Sequence, residues 1–134
     1  MKATITRLAI VIAAAFGLAA PAHAQGANPR GVNPTHYQCY KVDAPAKPIT
    51  VKSLRDQFGT AGPVTLGAPL YLCAPTDKNG VAAKDKTTHY LCYQDDGVKP
   101  VNKKAQITNQ FGVLGLAITT PAMLCVPSLK KVTG

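Results

Sequence analysis

Glutamate is absent from the sequence, and its six acidic residues are all aspartates. Catalysis by paired carboxylates needs two acids across a cleft, and the only adjacent pair, Asp95 and Asp96, precedes Gly97 as in a turn. The sequence also lacks a G-x-S-x-G nucleophile motif and a glycine-rich phosphate-binding loop. Enzymatic activity is therefore unsupported, and we assign no catalytic residue and no cofactor.

Helical periodicity and long apolar runs are missing after residue 24. The 11 prolines of the chain oppose long helices. The N-terminus differs, because a positive start leads into the apolar run 8–20, and Ala22 and Ala24 stand at the two positions that a signal peptidase reads. This run is shorter than the roughly 20 residues that span a bilayer, so a cleaved export signal is favoured over a retained anchor.

These features predict the domain organisation. Residues 1–24 form a signal peptide cleaved before Gln25, residues 25–34 form a flexible leader rich in Gly, Asn and Pro, and residues 35–134 form a single β domain. The predicted location is outside the cytoplasm, in the periplasm, on the cell surface or in the medium. No transmembrane segment is predicted after signal cleavage.

The domain is an internal duplication. Three blocks occur twice in the same order: T-H-Y-x-C-Y at 35–40 and 88–93, D/N-Q-F-G at 56–59 and 109–112, and P-x-x-L-C-x-P-x-x-K at 69–78 and 121–130. One residue is lost before the last block of the second copy, and the three blocks together identify a tandem repeat. We assign repeat one to 35–78, the linker to 79–87 and repeat two to 88–131.

Each copy is expected to be made of strands. Short segments rich in Tyr, Val, Ile, Leu and Thr alternate with Gly, Pro and Asp clusters, which predicts strands at 36–42, 49–55, 63–67 and 70–74, and at 89–94, 101–107, 114–119 and 122–126. Asn79-Gly80 predicts a tight turn, and the D/N-Q-F-G blocks predict bends whose Phe58 and Phe111 fill the core. Neither copy is large enough for a core of its own. We therefore expect an all-β fold, a small pseudo-twofold β-sandwich or barrel stapled by disulfides.

Four cysteines, two in each copy of an exported chain, predict a disulfide framework. Pairing Cys39 with Cys73 and Cys92 with Cys125 repeats one bond in each copy and is favoured. The crossed pairing, Cys39 with Cys125 and Cys73 with Cys92, also fits twofold symmetry and stays open. Zinc sites usually contain cysteines about two to four residues apart, and even the closest two here are much farther apart.

His36 and His89 are equivalent residues of the two repeats. If the first strands of the copies met at a twofold axis, the two imidazoles could share a metal ion, with Asp43 or Asp95 as third ligand. A histidine in a strand more often packs its ring and bonds to a backbone carbonyl. We therefore predict no metal site and keep this pair only as a weak candidate.

The chain carries 15 basic residues against 6 acidic ones, a formal net charge of +9. Such a protein is attracted to anionic surfaces, so anionic cell-surface or extracellular polymers are candidate partners, and the sequence does not identify the partner. The candidate contact residues are Lys99, Lys103, Lys104, Lys130 and Lys131. Because these lysines are scattered, we favour the interpretation that they only solvate the domain. No block of five like charges occurs, and no specific nucleic-acid site is predicted.

The H-Y-x-C-Y, D/N-Q-F-G and L-C-x-P-x-x-K blocks resemble those of an uncharacterised family of bacterial secreted repeat domains, a domain of unknown function. Its members occur alone, in tandem or attached to larger extracellular proteins. The resemblance covers nearly all of residues 35–131 and implies a secreted or surface location. It implies no activity, substrate or cofactor, so no functional residue is carried over from it.

The sequence favours a secreted or surface-associated, non-enzymatic binding module. The alternative is a small secreted enzyme or enzyme inhibitor with a groove between the two repeats. A polar cluster in one repeat only would favour this alternative, because a single active site usually belongs to one half. Asp95-Asp96 with Lys99, Lys103 and Lys104 is such a stretch, and we interpret it as a charged loop and edge strand.

Overall fold

The computed structural model describes residues 35–96 and 99–134. The predicted signal peptide and leader, residues 1–34, lie outside the described residues. The described part of the chain consists of strands without a helix: β1 (His36–Lys41), β2 (Ile49–Val51), β3 (Leu54–Asp56), β4 (Gly59–Ala61), β5 (Val64–Thr76), β6 (His89–Asp96), β7 (Lys103–Asn109), β8 (Gly112–Ile118) and β9 (Met123–Ser128).

The central sheet is antiparallel and has the strand order β1-β5-β6-β9, with β2 paired to the first half of β5. Two further hairpins, β3–β4 and β7–β8, are separate from it. At the start of β5, Val64 and Leu66 are buried and Thr65 between them is exposed. This alternation is the period of two from which the strand was predicted.

The two copies lie side by side in the central sheet. β1 and β6 carry the T-H-Y-x-C-Y block, and β9 corresponds to the second half of β5, so first and last strands alternate across the sheet. This order relates the copies by a shift along the sheet, where the sequence led us to expect a twofold rotation. The linker explains the difference, because Asn79 and Gly80 form the predicted tight turn between Lys78 and Val81, and the chain then returns beside β5 as β6.

Strands are the only regular secondary structure of the described residues, which confirms the predicted all-β fold. The sheets form a sandwich-like arrangement that does not close into a barrel. The tip of the β7–β8 hairpin of repeat two reaches repeat one, where the Gln110 amide nitrogen lies 3.1 Å from Nε2 of His36. The rings of Tyr37 and Tyr90, equivalent in the two repeats, meet edge to face with centroids 5.0 Å apart. Side chains therefore join the copies in addition to the β5–β6 ladder.

The core is centred on two disulfides. Cys39 bonds to Cys73 and Cys92 to Cys125, which confirms pairing within each copy. Each pair occupies directly opposite positions in an antiparallel ladder, where two Cβ atoms are close enough for the bond. Cys73 and Cys92 are buried with their sulfur atoms in contact at 4.0 Å, whereas Cys39 and Cys125 are exposed on the outer strands. The other buried apolar side chains of the described residues are Val64, Leu66 and Ala83.

Both D/N-Q-F-G blocks form hairpin tips, as predicted. Oδ1 of Asp56 accepts the N–H groups of Phe58 and the following glycine, and Oδ1 of Asn109 accepts the N–H of Phe111. The prediction that both phenylalanines fill the core is wrong for Phe111, which is 76% exposed, while Phe58 is half-buried. The tip that carries Phe111 ends over the Lys78 ammonium, 4.2 Å from the ring centre, and not over an apolar layer.

Two predicted strand boundaries change in the structure. The segment predicted as one strand at 49–55 is divided between β2 and β3. The segments predicted separately at 63–67 and 70–74 form the single strand β5, with irregular pairing to β6 between Leu66 and Tyr71. Because β5 is continuous, it pairs with β1, β2 and β6 and joins the two repeats.

Candidate functional site: a groove between the two repeats

A groove of about 610 Å³ lies at the end of the sheet where β5 begins and β6 ends. Repeat one supplies one wall from the β3–β4 hairpin and residues 61–64, and repeat two supplies the other from residues 99–101 and 121–124. The larger apolar side chains that line it are Leu54, Phe58, Val64, Val101, Met123 and Leu124. The groove is therefore built jointly by both repeats.

The wall from repeat one depends on a close backbone approach at Gly62. Its φ is +149°, a conformation that side-chain-bearing residues rarely adopt. A Cβ atom at this position would overlap the carbonyl oxygen of Lys52 and lie 2.7 Å from Cα of Ser53. Glycine at this position thus allows the chain that leaves β4 to lie close to the segment before β3.

The wall from repeat two is held by backbone hydrogen bonds. The N–H of Asp95 donates to the carbonyl of Ala122 at 3.2 Å, which extends the β6–β9 ladder to the groove. The N–H of Val101 donates to the carbonyl of Thr119 and closes the base of the β7–β8 hairpin. These bonds fix the chain on both sides of the segment that carries Lys99.

The groove has charged groups of both signs. Arg55 on β3 and Lys99 on the opposite wall are exposed, and Asp56 and Asp95 also line the groove. The Asp56 carboxylate is held by the hairpin tip, since it accepts backbone N–H groups there at 2.8 and 3.1 Å. Arg55 and Lys99 are therefore two exposed cations that line one groove and come from different repeats.

The structure separates the five lysines that were predicted to contact anionic ligands. Lys99 lines the groove, and Lys103 and Lys104 begin β7 just beyond it. As neighbours in a strand these two point to opposite faces of the hairpin, so they are not equivalent. Lys130 and Lys131 follow β9, whose six residues carry the chain about 20 Å from the groove end of the sheet.

Sequence reasoning did not single out Arg55. The signal that identifies it is broken repeat symmetry: Thr108 occupies the corresponding position in repeat two, and Ala46 corresponds to Lys99 in repeat one. Each cation of the groove is therefore present in one copy only. The charge pattern of the groove therefore does not follow the repeat symmetry.

The two histidines are not brought together. His36 lies on β1 and His89 on β6, with β5 between them, so two strand spacings of about 5 Å each separate their backbones. The His89 ring is buried, with Nδ1 2.9 Å from the carbonyl oxygen of Thr87, and His36 contacts Gln110. Within residues 35–96 and 99–134, no group of three or more His, Cys, Asp or Glu side chains is arranged to hold a metal ion.

The linker ends in a hydrogen-bonded turn that starts β6. One carboxylate oxygen of Asp85 accepts the N–H groups of Thr87 and Thr88 at 2.9 and 3.0 Å and the Thr87 hydroxyl at 3.1 Å. Hydrogen bonds from the side chain and backbone of Thr88, and then from Thr87, hold the pKa of Asp85 well below its ordinary value. The N–H of Asp85 also reaches the Thr35 hydroxyl at 3.5 Å, which connects the linker to the residue before β1.

Fold and groove together define a disulfide-linked, all-β tandem-repeat domain. The chain belongs to a family described as a repeat of unknown function (DUF7450), whose model matches residues 8–128. No curated protein and no solved structure matches the chain. In the described ranges 35–96 and 99–134, no helix is long and apolar enough to cross a membrane.

Proposed function

We propose that this protein is an exported, non-enzymatic binding module that holds a segment of an anionic polymer in the groove between its repeats. The observation that carries the proposal is that Arg55 and Lys99 are both exposed and both line one groove, each contributed by a single repeat. A ligand that bridges the two walls would contact both cations at once. The formal net charge of +9 falls to +7 when Lys2 and Arg7 leave with the signal peptide, and it still adds long-range attraction for such a ligand.

The chemistry of the groove favours carboxylate or phosphate groups on an extended chain. A guanidinium such as that of Arg55 can donate two parallel hydrogen bonds to one carboxylate or phosphate, and the Lys99 ammonium supplies a more mobile charge. The apolar walls, which include Leu54 and Met123, suit the uncharged parts of the polymer. Lys103 and Lys104 would extend the positive surface beyond the groove.

Export is the second part of the proposal. It is supported by the signal-like residues 1–24 and by the two disulfides, because disulfides persist mainly in proteins that fold outside the reducing cytosol. Mass analysis of the exported protein should find Gln25 at its N-terminus. Recovery of the exported protein with Met1 in place would show that the N-terminus is not a cleaved signal.

A charge-matched comparison tests the groove. The variant Arg55→Gln/Lys99→Gln and the control Lys130→Gln/Lys131→Gln lose the same charge, at opposite ends of the sheet. Binding is measured to polygalacturonate, to long-chain polyphosphate and to uncharged dextran. We expect at least a tenfold loss of affinity for an anionic polymer in the groove variant, about 1.4 kcal/mol, and little change in the control.

Three results would contradict the proposal. Equal losses in the two variants would show that net charge alone attracts the polymer. Binding to dextran as strong as to the charged polymers would remove the role of the cations. Absence of binding to both anionic polymers at low salt, where exposed charges are screened least, would show that the basic residues only solvate the surface and bind no polymer.

A further inference from the structure

The central sheet has two open edges. Among residues 35–96 and 99–134, β1 pairs with β5 alone and β9 pairs with β6 alone. An outer strand presents unpaired N–H and C=O groups and can pair with a strand of another chain. Most side chains of both edge strands are also exposed, including Tyr40 at 53% and Met123 at 39%.

The disulfides show which backbone groups face outward. Cys39 and Cys73 are directly opposite with Cα atoms 3.9 Å apart, the close spacing of a non-hydrogen-bonded antiparallel pair. The N–H and C=O of Cys39, and of every second residue along β1, therefore point to the open edge. Cys92 and Cys125 have the same spacing, so Met123 and Cys125 present their backbone groups to the open edge of β9.

The β5–β6 ladder, which joins the two repeats, shows which kind of strand pairs with such an edge. In the β5–β6 ladder, Cys73 is opposite Tyr90 and Tyr71 is opposite Cys92. β9 is the counterpart of the second half of β5, and β1 is the counterpart of β6. The open edge of β9 therefore repeats an edge that already binds a strand of this sequence type, and β1 repeats the strand that it binds.

We propose that a second copy of this chain adds its β1 edge to the β9 edge, antiparallel and head to tail, and so continues the central sheet from molecule to molecule. Alignment with the β5–β6 junction sets the register. Cys125 lies opposite the partner's Tyr37, and Met123 lies opposite the partner's Cys39. This inference does not rest on the proposed polymer groove, although Met123 belongs to both surfaces.

Burial at the existing junction supports this arrangement. Cys73 and Cys92, which meet there, are 7% and 1% exposed, whereas their counterparts Cys125 and Cys39 are exposed at the outer edges. Head-to-tail pairing would place these outer disulfides in the contact that Cys73 and Cys92 already make. Leu116 and Ile118, the counterparts of the buried Val64 and Leu66, are also only half-buried in repeat two.

A proline on the β9 edge does not oppose the pairing. Pro127 lacks an N–H and stands on the open side of the strand. Pro75 occupies the same position in β5, and the β5–β6 ladder ends before it without losing its other pairs. Since the two edges differ and the copies are related by a shift, successive additions form an open chain and not a closed ring.

Two edge variants test the proposal by sedimentation velocity from micromolar to millimolar concentrations. Met123→Pro removes an outward N–H from β9, and Tyr37→Pro removes the outward N–H of β1 that lies opposite the partner's Cys125, in each case without removing a backbone bond inside the sheet. We expect the unaltered chain to form larger species as its concentration rises and each variant alone to stay monomeric. A mixture of the two variants should form dimers and nothing larger, because only one edge of each is open.

Each result that would contradict the proposed pairing can be recognised separately. A monomeric unaltered chain at millimolar concentration would overturn the proposal. Dimers of either variant alone would show that like edges pair with each other, which overturns the head-to-tail arrangement. If a variant does not fold, amide hydrogen exchange on the unaltered chain decides the matter: exchange at Cys39, Met123 and Cys125 must slow as the concentration rises, and unchanged rates would refute the pairing.

Discussion

Loss of the Cys92–Cys125 disulfide should remove a large part of the stability of the domain. The bond closes a sequence separation of 33 residues, for which chain entropy gives about 3.7 kcal/mol at 25 °C. A domain of ordinary stability has about 5–15 kcal/mol in total. Cys92 is also 1% exposed, so its replacement by alanine leaves space beside the remaining disulfide and adds to the loss.

The assay is urea unfolding followed by circular dichroism, with Cys92→Ala/Cys125→Ala and Cys39→Ala/Cys73→Ala compared with the unaltered chain. The two disulfides close nearly equal separations, 33 and 34 residues, and each has one buried and one exposed cysteine. We therefore expect similar decreases in the free energy of unfolding. The variant without all four cysteines should be unfolded at 25 °C, since few other apolar side chains of the described residues are buried.

A decrease below about 1 kcal/mol in either variant would refute the reasoning, because it would mean that strand pairing holds the domain without the bonds. The slope of the free energy against urea must be measured as well. Removing a disulfide expands the unfolded chain and raises this slope, so midpoints alone would misstate the change.

Two further predictions concern single side chains. Gly62→Ala should lower the free energy of unfolding by about 1–3 kcal/mol, because the new Cβ would overlap Lys52 and Ser53. Gly59→Ala is the control and should lower it much less, since the space around its Cβ is open. Equal decreases for the two variants in urea unfolding would contradict the close approach at Gly62. Asp85→Asn should lower the thermal midpoint at pH 7, and the difference from the unaltered chain should shrink below about pH 4, because a carboxylate with a lowered pKa stabilises the fold only while it is ionised. The difference should fall progressively from about pH 4 downwards, and a difference for Asp85→Asn that is as large at pH 2 as at pH 7 would rule out the ionised turn.

Local sequence patterns were enough to predict the repeat boundaries, the strands and the hairpin tips, because each of these depends on residues close together in the chain. An Asp or Asn two residues before the tip phenylalanine bonds to the backbone wherever the hairpin lies, and Asn79-Gly80 forms its turn without help from distant residues. Symmetry between the copies also ranked the disulfide pairing correctly. Local chemistry and duplication were sufficient for these features.

Only the tertiary structure decided how the copies are related and where charges meet. A twofold rotation and a shift along the sheet satisfy the same alternation of apolar residues, so the sequence alone could not choose between them. The choice determines that His36 and His89 are separated by β5. It also determines that Lys130 and Lys131 lie far from Lys99, and that Arg55 and Lys99 line one groove. These are contacts between residues distant in the chain, and their positions depend on strand pairing, which no local pattern encodes.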